Sequence, residues 1–233
     1  NKGTIKAKGI TKQGGKIFLS SKKGKIKNSG TMVASSEVSI GGKIEVTGDH
    51  ITLKTGTVIN VTGKNGGGQA LVGGSWQNSN PEVYQAKTVV VEENTEIDAS
   101  SIKYGTGGEI VVWSDIHNKT GKTTVKGTLL AKGGIEGGDG GKIETSGHKL
   151  DISDSSVSTK SFTGRDGTWL LDPYNIEIVG SGSGADYTAD EDDEQISAST
   201  LVTALASSNI TVRTDGGGSQ DGDIRVSSAI SSS

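Results

Sequence analysis

The sequence of 233 residues contains no cysteine and only 2 prolines, and aromatic residues make up 4% of it. Without cysteine a disulfide framework is excluded, and the chain would suit passage through a membrane pore unfolded, since a disulfide would close a loop too wide to thread. No apolar run approaches the ~18 residues of a membrane-spanning helix. With 30% hydrophobic residues the chain lacks material for a thick spherical core, although alternating Val and Ile runs argue against disorder.

Charge is nearly balanced and evenly spread. The 24 basic and 27 acidic residues are interspersed and give a formal net charge of −3. Because no basic face or tail stands out, the sequence does not predict binding to nucleic acid or to an anionic membrane.

Glycine is abundant, with 37 residues, and it marks a repeat. GGKIEVTG at 41–48 returns as GGKIETSG at 140–147. A second phrase, of which Met32-x-Ala34 is one copy, recurs in step with the first. Both advance by 26 to 28 residues in regular parts of the chain and lengthen together where it carries insertions, which indicates one structural period. Copies of the Gly-Gly phrase begin at Gly14, Gly41, Gly67, Gly107 and Gly140, with weaker copies at Gly167 and Gly222.

Each period holds three short runs of alternating apolar and polar residues, such as KIEVTG, HITLKTG and VINVTG. Three half-buried strands per period predict an all-β fold, a parallel β-helix of about seven coils of ~27 residues. We expect the paired glycines at corners, where a positive φ is often needed. Trp169 is the bulkiest inward residue, and its size favours a local register change or an outward position. The predicted inward columns are Ile17, Ile44, Ala70, Ile110, Ile143, Trp169 and Ile224, and Leu19, Val46, Val72, Val112, Thr145, Leu171 and Val226; Lys16, Lys43, Gln69, Glu109 and Lys142 stack outward.

The domain organisation follows from this period. We expect residues 1–233 to form a single β-helical segment, and the chain starts at Asn1 without a signal peptide, which predicts a piece of a longer protein. Insertions at 75–86 and 115–122 are predicted surface loops. An excursion at 180–208 contains a predicted short helix with Ser197 or Ser199 as N-cap and with Leu201, Val202 and Leu205 on one face. Such a helix would shield a flank of the coils or protrude toward a partner.

Candidate catalytic, metal and cofactor sites are weak. The acidic run from Asp186 to Glu194 lacks the spacing of a Ca²⁺ loop and is expected to be a solvated loop. GSGSGA at 180–185 fits a dinucleotide motif formally, but the acidic residues after it would repel a pyrophosphate. No metal, cofactor or catalytic residue is therefore predicted.

Histidines and carboxylates are the remaining candidates. His50, His117 and His148 are expected at exposed turns. Asp98, Asp115 and Asp172 could pair across coils, as carboxylates do in β-helical polysaccharide lyases and hydrolases.

Two further groups are candidates for surface roles. Asn60, Asn118 and Asn209 stand in N-x-[ST] acceptor sequences, and Asn118 lies on an insertion. Trp76, Tyr84 and Tyr187 lie in the predicted loops and are candidate partner contacts, although loop aromatics also serve as anchors against a scaffold.

Several phrases are specific enough to indicate a family. GGEIVVWSD (107–115), GGKIETSGHKL (140–150) and above all GTWLLDPYNIEI (167–178) resemble the large exoproteins of bacterial two-partner secretion. That group includes filamentous haemagglutinin-like proteins and the high-molecular-weight adhesins. GGSWQ at 73–77 and TEIDASS at 95–101 are similar to them too, so the likeness runs from about residue 40 onward.

The resemblance implies a right-handed β-helix that an outer-membrane transporter partner exports, so that the protein is secreted or displayed on the bacterial surface. It implies attachment to host cells, through a receptor or glycan, or to other bacteria, without catalysis. It also implies that a cytoplasmic N-glycosyltransferase could modify the acceptor asparagines. The alternatives left open are a β-helical polysaccharide-degrading enzyme and the passive shaft of a contact-dependent toxin or haem-acquisition exoprotein.

Overall fold

Parallel strands stacked in three walls form the molecule. The computed structural model describes residues 1–7, 14–180, 194–214 and 222–231. Wall 1 contains β2 (Lys16–Asn28), β4 (Lys43–Leu53), β6 (Gln69–Val72), β9 (Glu109–Trp113), β12 (Lys142–Gly147), β15 (Thr168–Pro173) and β18 (Asn209–Val212). Wall 2 is built from the second halves of β2 and β4 with β7 (Thr88–Val91), β10 (Lys122–Val125) and β13 (Lys149–Asp151). Wall 3 contains β1 (Thr4–Lys6), β3 (Thr31–Val33), β5 (Val58–Asn60), β8 (Glu96–Asp98), β11 (Thr128–Leu130) and β14 (Ser156–Ser158).

Each strand pairs in parallel with its equivalent one period away, so the predicted parallel β-helix is confirmed. Ile44 pairs with Ala70, Ala70 with Ile110, and Ile110 with Ile143 in one unbroken interior column. Trp169 continues this column in register with Ile143 and is 1% exposed. Its expected displacement does not occur, because its indole Nε1 donates to Thr145 Oγ1 at 3.1 Å inside the core.

The prediction is wrong for the last residue of each interior column. Ile210 and Val212 of β18, and not Ile224 and Val226, pair with Trp169 and Leu171. Ile224 instead pairs with Ile176 in a separate sheet formed by β16 (Ile176–Val179), β17 (Glu194–Ser197) and β19 (Ile224–Val226). The predicted pairing fails here because the segment between Gly167 and Gly222 contributes strands of its own, and one of them, β18, takes the place predicted for β19.

A helix takes part in this additional coil. Helix α1 (Ala198–Leu205) follows β17, packs against β14 of wall 3 and leads directly into β18 of wall 1. Ser197 caps it as predicted, with its side chain accepting from Ser199 N. The buried face differs from the prediction: Ala198, Leu201 and Ala204 are buried, whereas Leu205 is 47% exposed. Ala198 and Ala204 are small enough to let the helix approach the coil closely, and Leu205 falls on the solvent side.

The paired corner glycines have a different cause from the expected positive φ. Positive φ occurs at other glycines, such as Gly56 and Gly105, and at Gly222 of a weaker copy, but not at the paired glycines that open the five strong copies. A Cβ placed on Gly41 would lie 1.9 Å from Val61 O, and one on Gly140 would lie 1.7 Å from Thr159 O. Glycine is required there because the backbones of successive coils touch.

Candidate functional site

The outer face of wall 1 is buried in the middle of the rod. Side chains at alternate positions of β6 and β9 point away from the core, yet Leu71 is 2%, Val111 0% and Trp113 2% exposed. These residues form a second apolar cluster, separate from the core, together with Val83 and Ile116. The sequence signal is the uninterrupted apolar run Ile110–Trp113, since strands buried on both faces lose their alternation.

The loop at 75–86, which we term the insert, covers this face. It starts with a short 3-10 helix at Trp76–Asn78, and Trp76 packs against the second apolar cluster. The ammonium of Lys142 lies 4.2 Å from the centroid of the Trp76 ring, a cation–π contact. Trp76 is therefore an anchor of the insert in this conformation, and its predicted role as a partner contact stays a prediction.

Tyr84 holds the other end of the insert. Its hydroxyl donates to Asp49, and Lys87 Nζ lies 2.8 Å from the second oxygen of the same carboxylate. Hydrogen bonds from Lys87 and Tyr84 lower the pKa of Asp49, and the hydrogen bond to Asp49 raises the pKa of Tyr84. Tyr84 thus fixes the insert to β4, and its role as a contact residue likewise stays a prediction.

A buried carboxyl group lies beneath the tip of the insert. Glu144 of β12 is 0% exposed, and it accepts from Gln77 N at 2.8 Å and from Ser146 Oγ at 2.9 Å. Burial, with smaller contributions from Asp172 and Glu109, raises the pKa of Glu144 from 4.5 to about 7. Sequence reasoning missed this residue because its position in the strand predicts a solvated outward side chain.

A cleft of about 310 Å³ opens beside the insert tip, lined by Gln77, Asn78, Trp113, Ile116, His117, Asp172 and Arg213. Burial raises the pKa of Asp172 to about 6, although Arg213 and His117 oppose the shift. In the described part of the chain, three buried polar atoms lack a hydrogen-bond partner: Asn78 Oδ1, Trp113 Nε1 and Asp172 Oδ1. All three belong to this cleft, which makes it the least satisfied polar region of the described structure.

The other candidate catalytic residues lie apart from it. Neither Asp98 nor Asp115 lines the cleft. Asp98 accepts from Ser100 N, and Asp115 accepts from His117 N, both as local turns. Within the described ranges no group of three His, Asp or Glu side chains has an arrangement that could hold a metal ion.

The expectation of three exposed turn histidines is wrong for two of them. His148 is 2% exposed, donates from Nδ1 to Ile116 O at 2.9 Å and stacks on Tyr174 with ring centroids 4.6 Å apart. His50 lies inside β4 and contacts Thr88 Oγ1 through Nδ1 at 2.9 Å. Only His117 is an exposed turn residue. The second insertion, at 115–122, covers His148 through Ile116, and the sequence alone gives no signal for that contact.

The acceptor asparagines occupy three different settings. Asn118 is half-buried in a turn between the exposed residues His117 and Lys119, and its Oδ1 accepts from the backbone N and the hydroxyl of Thr120. Asn60 makes the same pair of bonds with Thr62 and is also half-buried, but it lies on strand β5. Asn209 is exposed, and its Nδ2 donates to Asp166 O and Gly167 O.

Some predicted features lie outside the described residues. These are Tyr187, the acidic residues Asp186 and Asp190–Asp193, and the GSGSGA motif beyond Gly180. In the described ranges, no helix has the length and hydrophobicity to span a membrane.

The outward ladder predicted from the sequence lines a groove on the outer face of wall 1. It has a volume of about 840 Å³ and follows the Gly-Gly corners from Lys16 to Asn209. Gln69 Nε2 donates to Glu109 at 2.7 Å, and Lys142 pairs with the same carboxylate at 2.6 Å, so these three residues of the ladder are bonded to one another along the rod. Arg165 and Asp139 form a further ion pair at its rim.

Comparisons with known proteins give one informative relative. No protein-family model matches the chain, and no curated protein matches it. Among solved structures, it is similar to the HMW1 secretion domain from Haemophilus influenzae, with a TM-score of 0.61 and 33% sequence identity. The match covers 74% of this chain and 43% of the other, so the chain spans less than half the length of that relative. The resemblance to two-partner-secretion exoproteins that the repeated motifs indicate is thereby confirmed.

Proposed function

We propose that this chain is a segment of a secreted bacterial adhesin that an outer-membrane transporter partner exports and that remains at the cell surface. The observation that carries the proposal is the similarity to the HMW1 secretion domain, with 33% identity over 74% of the chain. The absence of cysteine supports it, because a chain without disulfides can pass a narrow pore unfolded.

Export is the first test. The chain is placed behind a signal peptide and expressed in Escherichia coli with and without a two-partner-secretion transporter. We expect externally added protease to cleave it in intact cells only when the transporter is present. Equal amounts at the surface or in the medium in both strains would contradict the proposal, and a periplasmic marker protein checks that the outer membrane is intact.

Attachment is the second part of the proposal, and it would use the groove along the Gly-Gly corners. This groove presents the outward ladder as a continuous charged strip that a host receptor or glycan could contact. Lys16 and Lys25 provide a matched pair, since both are exposed on β2 and only Lys16 lines the groove. We expect Lys16→Glu to reduce binding of the fluorescently labelled chain to epithelial cells severalfold, and Lys25→Glu to leave it unchanged. Equal losses, or no binding by the parent chain, would favour a passive shaft.

Glycosylation belongs to the same proposal, with Asn118 as the preferred acceptor. Asn118 lies in a turn between the exposed residues His117 and Lys119, whereas Asn60, half-buried like Asn118, lies on strand β5, and the amide of Asn209 donates to two carbonyl oxygens. Coexpression with a cytoplasmic N-glycosyltransferase, followed by mass spectrometry of the intact chain, tests this preference. The added hexose mass should disappear in Asn118→Gln and persist in Asn60→Gln.

A further inference from the structure

The contacts of the insert differ strongly between its two ends. At the Tyr84 end, Asp49 receives a hydroxyl and an ammonium, so a cation balances its charge. At the tip, the donors to Glu144 among the described residues are the backbone N–H of Gln77 and the hydroxyl of Ser146. A fully buried carboxylate without a cation is costly, because two neutral donors do not replace its hydration.

The charged groups around Glu144 come from three strands and do not compensate it. Glu109 on β9 and Asp172 on β15 are both acidic and disfavour its ionisation. Lys142 on the same strand as Glu144 is paired with Glu109 at 2.6 Å and faces Trp76. Beyond Asp172 lie Arg213 and His117 at the mouth of the cleft. Glu144 is therefore stable under the insert when protonated and unstable there when charged.

The tip can move as a small unit. Ser75 Oγ accepts from Asn80 N at 3.0 Å, and Asn80 Oδ1 accepts from Glu82 N at 3.0 Å, so residues 75–82 are bonded to one another. Gln77 and Asn78 both have positive φ, of 46° and 50°, which is unfavourable for residues other than glycine. Closure also leaves Asn78 Oδ1 and Trp113 Nε1 without partners. Release of the tip would hydrate these groups together with Glu144.

We infer that the insert is a pH-operated latch, closed over the outer face of wall 1 when Glu144 is protonated and released at its tip when Glu144 is ionised. The Tyr84 end stays attached through Asp49 and Lys87 in both states. Release uncovers the second apolar cluster, which is buried in the closed state, and the part of Trp76 that packs against it. The pKa of Glu144, near 7, supports a transition in the range of pH that a bacterial surface meets.

Hydrogen exchange tests the latch on the intact chain. We expect the protection factor of the Gln77 amide, which donates to Glu144 and not to another residue of the tip, to fall at least tenfold between pH 6 and pH 8, after correction for the intrinsic pH dependence of exchange. The protection factors of wall 3 should stay constant. In Glu144→Gln, which is neutral at every pH, the tip should stay protected throughout.

A matched control and a second variant make the outcome decisive. Glu177 on β16 is also buried and hydrogen-bonded by two side chains, from Gln195 and Ser227, but lies away from the insert. Glu177→Gln should retain the pH-dependent loss of protection at the tip. Ser146→Ala removes a donor that favours the ionised form, so the transition should move to higher pH. A parent chain with constant tip protection, or a Glu144→Gln variant that still loses it, would overturn the inference.

Discussion

The corner glycines set the tightest steric limit at the scale of single residues. A Cβ on Gly140 would stand 1.7 Å from Thr159 O and 2.3 Å from Gly167 N, and both obstacles are backbone atoms that cannot rotate away. We predict that Gly140→Ala destabilises the chain by at least about 3 kcal/mol or prevents folding, which places it among the severe substitutions. Urea unfolding followed by circular dichroism measures the loss.

Gly3→Ala is the control for this substitution. Gly3 is exposed, and the nearest atom to an added Cβ is 3.9 Å away. Its effect should remain within about 0.5 kcal/mol, as for ordinary surface positions. Similar losses for both variants would mean that coil stacking does not explain the glycine repeat.

Glu144 gives a pH dependence of stability whose sign follows from its environment. Its pKa is raised from 4.5 to about 7 on folding, so the folded chain binds more protons than the unfolded chain between these values. The contribution of Glu144 to the free energy of unfolding is therefore largest below pH 4.5 and decreases as pH rises through 7. The full loss would be about 3 kcal/mol, and release of the insert limits it to the cost of that opening.

The measurement compares Glu144→Gln with the parent chain in urea at pH 5 and pH 8. The variant should match the parent at pH 5 and be more stable at pH 8, because its side chain stays neutral and can still accept from Gln77 N. A variant that is less stable at both values would show that the carboxylate itself stabilises the fold.

Whether the environment of a single residue can be predicted from the sequence depends on how far away in the chain its contacts lie. Columns such as Ile44, Ile110 and Ile143 were predictable because each copy repeats the alternation of the last. Glu144 and His148 were not, since loops inserted 30 or more residues away in the chain cover them. Trp76 and Tyr84 were identified as loop aromatics, but which surface they pack on depends on the fold.

At the scale of elements, helix α1 buries one of two leucines and exposes the other, although the sequence predicts both on the same face. Leu201 is 2% exposed and belongs to the main core, whereas Leu205 is 47% exposed one turn later. We predict that Leu201→Ala costs about 2–5 kcal/mol and that Leu205→Ala costs less than about 1 kcal/mol. Thermal or urea unfolding distinguishes them, and equal losses would contradict the observed orientation of the helix.

The helix also shows where the repeat stops being informative. Its N-cap at Ser197 was predictable, because the capping preference is local. The additional coil formed by β17, α1 and β18 could not be predicted, because no Gly-Gly phrase precedes β18 (NITV). The sequence predicts Ile224 in the column, where the structure has Ile210, because the glycine before β19 resembles a corner of the repeat. In the structure β19 pairs with β16 instead.

At the scale of the whole molecule, the rod has nearest-neighbour cooperativity. Each coil contacts the coils on either side, so a cavity should weaken its own coil and the two adjacent ones before distant coils. Ile59 and Ile5 test this in one wall 3 column: Ile59 is 0% exposed and has paired neighbours, Met32 and Ile97, whereas Ile5 pairs only with Met32 among the described strands and is half-buried.

We predict that Ile59→Ala costs about 2–5 kcal/mol and that Ile5→Ala costs about 1 kcal/mol or less. Hydrogen exchange should show protection lost in β3, β5 and β8 for Ile59→Ala, with β14 retaining its protection, and loss confined to β1 and β3 for Ile5→Ala. This pattern is expected because each described strand of wall 3 pairs only with the strands next to it, so lost packing passes along this wall from one coil to the next. Uniform loss of protection from β1 to β14 in the Ile59 variant would mean that the coils unfold as one unit, as in a globular core.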